Sequence, residues 1–384
     1  MNDHSRPVPE ARPVPAGTPK NGMFGGTLVA VGFGALAFLI IIAVVPDKPG
    51  MLAVLRRGDW RYLIVGLACL AVAIVFDAFR LFWLCKGIGS DVPFPRVVQG
   101  IMASNFVSLV TPFVSGGAPC IVWVLQQAGV DMSRASAAVV AGGVVSQSTL
   151  IALSVVVPIL SGIHRAGDPF ARMLSIGART VVPLYLLGVV LIVLGSLRIE
   201  WAQRTISSWD KRLQKAVRAR RLAVRLRRLL RGIGQGLRGY NASFRLLATE
   251  RPSVLIRAYG CSALYFMGLF TVGYLVFRAV GADIGYLRAV SAQMIVLLVA
   301  SATPTPGGAG ASELGAYSLF AQMMPREAVG AFVLVWRILT YWLLLLTGAI
   351  ALGMAVRTSA QRYAQLAIQG TNRKFSSRKG LKQR

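Results

Sequence analysis

SATPTPGGAGASELG, residues 301–315, follows the apolar run MIVLLVA (294–300), carries a single charge, and holds two prolines and four glycines. Prolines at 304 and 306 remove backbone donors and stop a helix, while glycines at 307, 308 and 310 permit a turn and close approach by other groups. In water this would be an ordinary loop. The sequence around it is apolar, so both the break and Glu313 need a place in a chain whose solvent is lipid.

Hydrophobic residues make up 55% of the 384 and charged residues 15%, against roughly 25% charged in soluble domains. The mean hydropathy is +0.61. A helical crossing needs roughly 20 apolar residues, and the runs 26–45, 61–84, 135–160, 178–197, 253–280 and 328–354 predict six spans. The Pro-rich start, 1–25, lacks the order of a signal peptide and reads as a disordered cytosolic tail. Cys69, Cys85, Cys120 and Cys261 have no paired spacing, so neither disulfides nor a zinc site is expected. The histidines are His4 and His164 alone, which leaves little for histidine catalysis.

Charge sets the orientation. Residues 198–251 carry 15 Lys/Arg against Glu200, Asp210 and Glu250, and the tail from 357 carries 8 against no acid. The positive-inside tendency puts both segments, and both termini, in the cytosol. The 161–177 loop, assigned outside, opposes this weakly with His164, Arg165 and Arg172 against Asp168. Within 198–251, Ile206, Trp209, Leu213 and Val217 recur at helical spacing among arginines. This suits an amphipathic helix on anionic headgroups at the cytosolic face. A nucleic-acid partner is not expected from a basic run that lies between membrane spans.

The two halves of the chain repeat. At an offset of 192 residues KGIGSDVPFPRVV (86–98) lies over RAVGADIGYLRAV (278–290), so that Lys86 meets Arg278, Gly89 Gly281, Asp91 Asp283, Phe94 Tyr286 and Arg96 Arg288. In the same register Thr111-Pro112 falls on Thr303-Pro304 and Arg134 on Arg326, and the pairs Gly116-Gly117 and Gly307-Gly308 match with a slip of one residue. The predicted spans enter the two units from opposite sides, so the repeats, about 61–160 and 253–354, are inverted. The segments 97–111 and 289–303 would reach only about 22 Å as helices, short of the roughly 30 Å core. They are expected to dip in and return, leaving each broken turn at membrane depth, where such backbone must be buried in protein or line a cavity. The fold class expected is an all-α polytopic membrane protein: about six spans plus two re-entrant hairpins, with the membrane domain over 26–355 and a basic cytosolic tail over 356–384.

Polar groups at that depth are the candidate site. Ser312 is placed to cap the helix leading away from the turn. Glu313, in its first turn, either stabilises the helix N-terminus or is an intramembrane carboxylate that pairs with a cation and changes partner or protonation during a cycle, with Arg337 as the candidate cation. Asp77 and Arg80, three apart on one helical face, can pair with each other. Asn105, Ser108 and Gln147 add polar groups that bridge helices or line a path.

TPTPGGAGASE resembles the Pro-x-Pro-Gly-Gly-x-Gly-x-x-Glu signature of flippase-like membrane proteins related to the transmembrane domain of lysylphosphatidylglycerol synthase, a group that includes proteins associated with hopanoid biosynthesis. NFVSLVTPFVSGGAP (105–119) is similar to that family's earlier Asn…Pro…Gly motif. The resemblance covers about residues 25–355 and implies movement of polar or charged lipids across a bilayer. It carries over Pro304, Pro306, Gly307, Gly308, Gly310 and Glu313 as signature positions, with Asn105, Pro112 and Gly117, beside Gly116, as their partners in the other half. The chain ends in a short basic tail where the synthase continues, so lipid aminoacylation is not expected.

Two classes of function remain. One is a lipid flippase or transporter of an anionic or aminoacylated lipid in the cell membrane, with no cofactor, no enzyme activity and a homo-oligomer left open. The other is a membrane-embedded transferase acting on lipid-linked substrates. The sequence holds no HExxH, no Cys/His cluster and no Walker-A lysine, and Gly308-Ala-Gly310, followed by Ala-Ser-Glu, fails the GxGxxG pattern, which favours transport.

Overall fold

A computed structural model describes residues 48–160, 179, 182–191, 194, 243, 245–301 and 303–361. Every regular element among them is helical: α1 (Lys48–Arg57), α2 (Arg61–Gly87), α3 (Phe94–Val110), a first turn (Pro112–Val114), α4 (Gly117–Gln127), α5 (Met132–Leu160), α6 (Val182–Leu191), a π turn (Leu246–Glu250), α7 (Pro252–Ala279), α8 (Tyr286–Ser301), a second turn (Pro306–Gly308), α9 (Ala311–Phe320) and α10 (Arg326–Gln361). The polytopic all-α fold is therefore as expected. Four helices, α2, α5, α7 and α10, are long and apolar enough to cross a membrane. They answer to the predicted spans 61–84, 135–160, 253–280 and 328–354. Of 178–197, the helix Val182–Leu191 is described. The run 26–45, the 1–25 tail, the 161–177 loop, nearly all of the basic segment 198–251 and the tail beyond 361 lie outside the described residues.

The repeat is visible in the helix boundaries. Arg61–Gly87 and Pro252–Ala279, then Phe94–Val110 and Tyr286–Ser301, are equivalent within a residue at the sequence offset. Both short helices open just after an extended connection, and Pro95 and Pro252 occupy first-turn positions where a missing N–H costs nothing. The equivalent helices α2 and α7 run antiparallel in contact along their length. Asp59 N donates to Ala279 O (2.9 Å) at one end. A methyl on Gly268 would lie 3.0 Å from Ala73 Cβ at the middle, and one on Gly87 would lie 2.8 Å from Val254 at the other end. Antiparallel pairing of equivalent helices is what an axis in the membrane plane produces.

The halves also interlock. The long helix of each repeat packs against the short helix of the other: α5 on α8, and α10 on α3, where a methyl on Gly348 would lie 2.5 Å from Met102 O and 2.9 Å from Phe106 N. Phe277, Phe320 and Phe332 stack within 5.0 Å of one another and tie α7, α9 and α10. Tyr185 of α6 donates to Leu298 O of α8 at 3.1 Å. Ile64 and Ile256, each 72% exposed, stand on the outer surface, as lipid-facing positions should.

The nearest atoms around Gly348 are backbone of Met102 and Phe106 together with Phe106 Cβ, none of which can rotate away. Gly348→Leu is expected to lower stability by about 1–3 kcal/mol, read as a lower unfolding temperature in detergent. Gly353→Ala, with open space around the site, should leave it unchanged or raise it slightly. An unaltered midpoint for Gly348→Leu would contradict the α3–α10 contact.

Candidate functional site

The second turn is built around positive φ. Thr305 is extended, Pro306–Gly308 makes one tight turn with Gly307 at φ 58° and Gly308 at 67°, and Gly310 has φ 86°. Gly308 is needed twice over, since a methyl there would also lie 2.6 Å from Ala300 O. α9 then starts with Gly310 at its cap position, and Glu313 Oε2 accepts from Gly310 N at 2.7 Å. Glu313 is thus the capping group. Ser312, expected in that role, sits inside the first turn instead. Its Oγ lies 2.8 Å from both Gly308 O and Glu313 Oε2 and donates to one of them.

Arg337 arrives from α10 directly before the π turn Ile338–Trp342. Its Nε donates to Glu313 Oε1 at 2.6 Å, Nη2 lies 2.5 Å from the same oxygen, and Nη2 also donates to Ser312 Oγ. The guanidinium is flanked by Tyr341, with 5.1 Å to the ring centre, and by Trp336 at 5.6 Å. Glu313 and Arg337 retain only 5% and 7% exposure. Glu313 thus caps α9 with one carboxylate oxygen and holds the buried Arg337 guanidinium with the other.

The first turn follows the same backbone path over Pro112–Val114 and then departs from it, with Ser115 and Gly116 helical where Ala309 is extended and Gly310 has positive φ. Thr111 is extended, and Phe113 (φ 53°) and Val114 (φ 57°) take the left-handed conformation that glycines take in the second turn. Thr111 Oγ1 donates to Val107 O (2.8 Å) and accepts from Gly116 N (2.9 Å). This corrects the register expected from sequence. Pro112 is equivalent to Pro306 rather than Pro304, and Gly116-Gly117 to Gly310-Ala311 rather than Gly307-Gly308. The doubled Thr-Pro of 303–306 inserts two residues, and the shift persists into α5 and α10, so Arg134 and Arg326 are not equivalent either. Gly117 serves packing: a methyl there would overlap Ser108 Oγ and approach Ser104 Oγ to 2.7 Å.

The two turns meet. A methyl on Gly307 would lie 2.5 Å from the Tyr341 ring and 3.2 Å from Leu109 O, at the end of α3. Pro306, Gly307, Gly308, Gly310, Glu313 and Arg337 thus form one cluster with Pro112 and Gly116 opposite, and Pro304 is exposed at its edge. Thr305 Oγ1 is buried there with no hydrogen-bond partner among the described residues. Asn105 and Gln147 are half-buried on α3 and α5. Asp77 and Arg80 pair at 2.6 Å, as expected, but on the α2–α7 seam. Sequence reasoning missed Tyr341, which no local signal marks, and Gln293, whose Nε2 donates to Phe270 O (3.0 Å) and Ala289 O (3.2 Å). A lone amide inside the apolar helix α8 is a signal that could have found it.

The chain belongs to the family described as the lysylphosphatidylglycerol synthase TM region, which it matches over residues 27–348. It is 24% identical over 304 residues to a UPF0104 membrane protein of Archaeoglobus fulgidus, covering 79% of this chain and 89% of that one. To a UPF0104 membrane protein of Pyrococcus horikoshii it is 22% identical over 304 residues, covering 77% and 88%.

Removing one partner of a buried ion pair leaves the other uncompensated, at a cost of about 3–5 kcal/mol. Glu313→Gln is therefore expected to lower the unfolding temperature of the purified protein. Glu313→Gln with Arg337→Gln should recover much of that loss. Equal midpoints for parent and single variant would show that the pair contributes nothing to the fold.

Proposed function

We propose that this member of the lysylphosphatidylglycerol synthase TM family moves a polar or charged lipid between the leaflets of the cell membrane, with α3–α4 and α8–α9 as re-entrant hairpins that dip in from opposite faces. The observation that carries the reading is the meeting of two broken turns from antiparallel repeats, with a buried ion pair behind one of them. α3 and α8 have 17 and 16 residues, about 25 Å of helix, less than the roughly 30 Å core. A chain that ends two such helices at unwound backbone must bury that backbone or use it. Inverted repeats with discontinuous helices form substrate sites of this kind near the bilayer midplane. The Thr305 hydroxyl, without a partner among the described residues, supplies a polar contact where a headgroup would pass. Transfer chemistry is less well supported, because Glu313 already caps a helix and holds Arg337, and to act as a base it would have to leave both.

Two measurements test this. In a Cys-free background, cysteines replacing the exposed Ser115 and Pro304 should be labelled by impermeant thiol reagents from opposite sides, Ser115 from the cytosol. Labelling from one side would refute the inverted hairpins. In liposomes the protein should move labelled lipid without covalent change, and Glu313→Gln with Arg337→Gln should fall to about a tenth of the parental rate or less, a barrier rise of about 1.4 kcal/mol. Movement at the parental rate would reduce the pair to a structural cap. A covalently altered lipid would favour the transferase.

A further inference from the structure

The second intramembrane pair has unused hydrogen-bonding capacity, and it lies at the deep end of a line of cations. Arg80, Trp83 and Lys86 succeed one another at three-residue spacing on one face of α2. Trp83 carries two cations: Lys86 Nζ at 5.7 Å and the Arg257 guanidinium of α7 at 4.6 Å from its ring centre. Lys86 and Arg257 are exposed at the end of the seam where Gly87 meets Val254. The antiparallel register places Arg80 about one to two turns deeper, level with Cys261. There Arg80 Nη2 holds Asp77 Oδ1 at 2.6 Å. Arg80 Nε and Nη1 are buried with no hydrogen-bond partner among the described residues, and Asp77 Oδ1, although within ion-pair range of Nη2, is not hydrogen-bonded either. Asp77 is the only acid in the six apolar runs, and Glu313 is held by Arg337, so no further intramembrane carboxylate is left to satisfy them.

Interfacial anchoring accounts for an exposed Lys, Arg and Trp at a helix end. It does not account for a guanidinium that sits deeper with two N–H groups unused, which is costly unless something binds them. We propose that the α2–α7 seam binds the phosphate diester of an anionic phospholipid, received by Lys86 and Arg257 at the membrane surface and held deeper by Arg80. Two N–H groups of a planar guanidinium match two oxygens of one phosphate. The three cations against the single Asp77 leave the seam positive. Exposed Ile256 and Leu264 on α7 and Val75 on α2 offer apolar surface beside it for acyl chains. This deepens the transport reading by naming its ligand, but its test is a binding measurement.

The test is native mass spectrometry of the full chain released from bilayers of phosphatidylglycerol and phosphatidylcholine in equal amounts. The parent should retain phosphatidylglycerol in preference. Asp77→Asn with Arg80→Gln, which removes both charges and strands neither, should lose that retention by about tenfold or more, as expected for charge-assisted hydrogen bonds. Lys86→Gln with Arg257→Gln should lose a smaller part. Millimolar inorganic phosphate should leave the lipid in place. Displacement by inorganic phosphate would assign a free-anion site and overturn the lipid, and equal retention by parent and the Asp77/Arg80 variant would overturn the seam. A chain that shows the expected retention yet moves no lipid in liposomes would overturn the transport reading alone.

Discussion

Hydrocarbon offers no hydrogen bonds, and this chain breaks its backbone twice among apolar helices. Everything around the two turns answers that constraint. Each turn makes its own short bonds, Ser115 N to Pro112 O at 3.1 Å and Gly308 N to Thr305 O at 3.1 Å. The first N–H of each following helix is then met by a side chain: Thr111 Oγ1 for Gly116, Glu313 Oε2 for Gly310. A carboxylate used in this way brings a charge with it, and Arg337 is the answer to that charge. The turns then cover one another, so the interlocked helices follow from the need to bury what the breaks expose.

The three residues of each tight turn share a conformation but differ in type because the two copies have different surroundings. At the second turn Gly307 and Gly308 lie under Tyr341 and against Ala300, and Pro306 and Gly308 are buried. A side chain has nowhere to go. At the first turn Phe113 and Val114 are 58% and 38% exposed, so the space exists, but the conformation is costly for a bulky or β-branched residue. One copy meets the constraint with glycine and charge, the other with a threonine cap and strained dihedrals.

Much of this was legible in the sequence because membrane insertion acts on coarse features. Apolar length found α2, α5, α7 and α10, and recurrence of unusual residues such as Asp91 and Asp283 found the repeat. Glu313 and Arg337 could be paired in advance because opposite charges in apolar surroundings have few other partners. Register at the turns was not legible. Gly-Gly looks alike whether it opens a helix, as at 116–117, or takes positive φ, as at 307–308, and only backbone dihedrals tell these apart. Tyr341 was hidden for a related reason: its place under Gly307 depends on the π turn in α10, which no local composition announces.

The asymmetry also bears on which part of the molecule can move. On the transport reading proposed above, a route between the leaflets would require the meeting turns to separate, so at least one would have to leave its present seat. Withdrawing the second turn from α10 would expose the Glu313–Arg337 pair or split it, and a buried ion pair left without a partner costs about 3–5 kcal/mol. Withdrawing the first turn breaks no ion pair. Its two Thr111 hydrogen bonds, to Val107 O and from Gly116 N, lie within the hairpin and would travel with it, and relaxing Phe113 and Val114 would return about 1–3 kcal/mol apiece. The balance favours the first hairpin as the moving part, sliding past a second hairpin that the ion pair fastens to α10. Two turns that share one ancestry of sequence have thereby been given unequal tasks, through charges placed on only one of them.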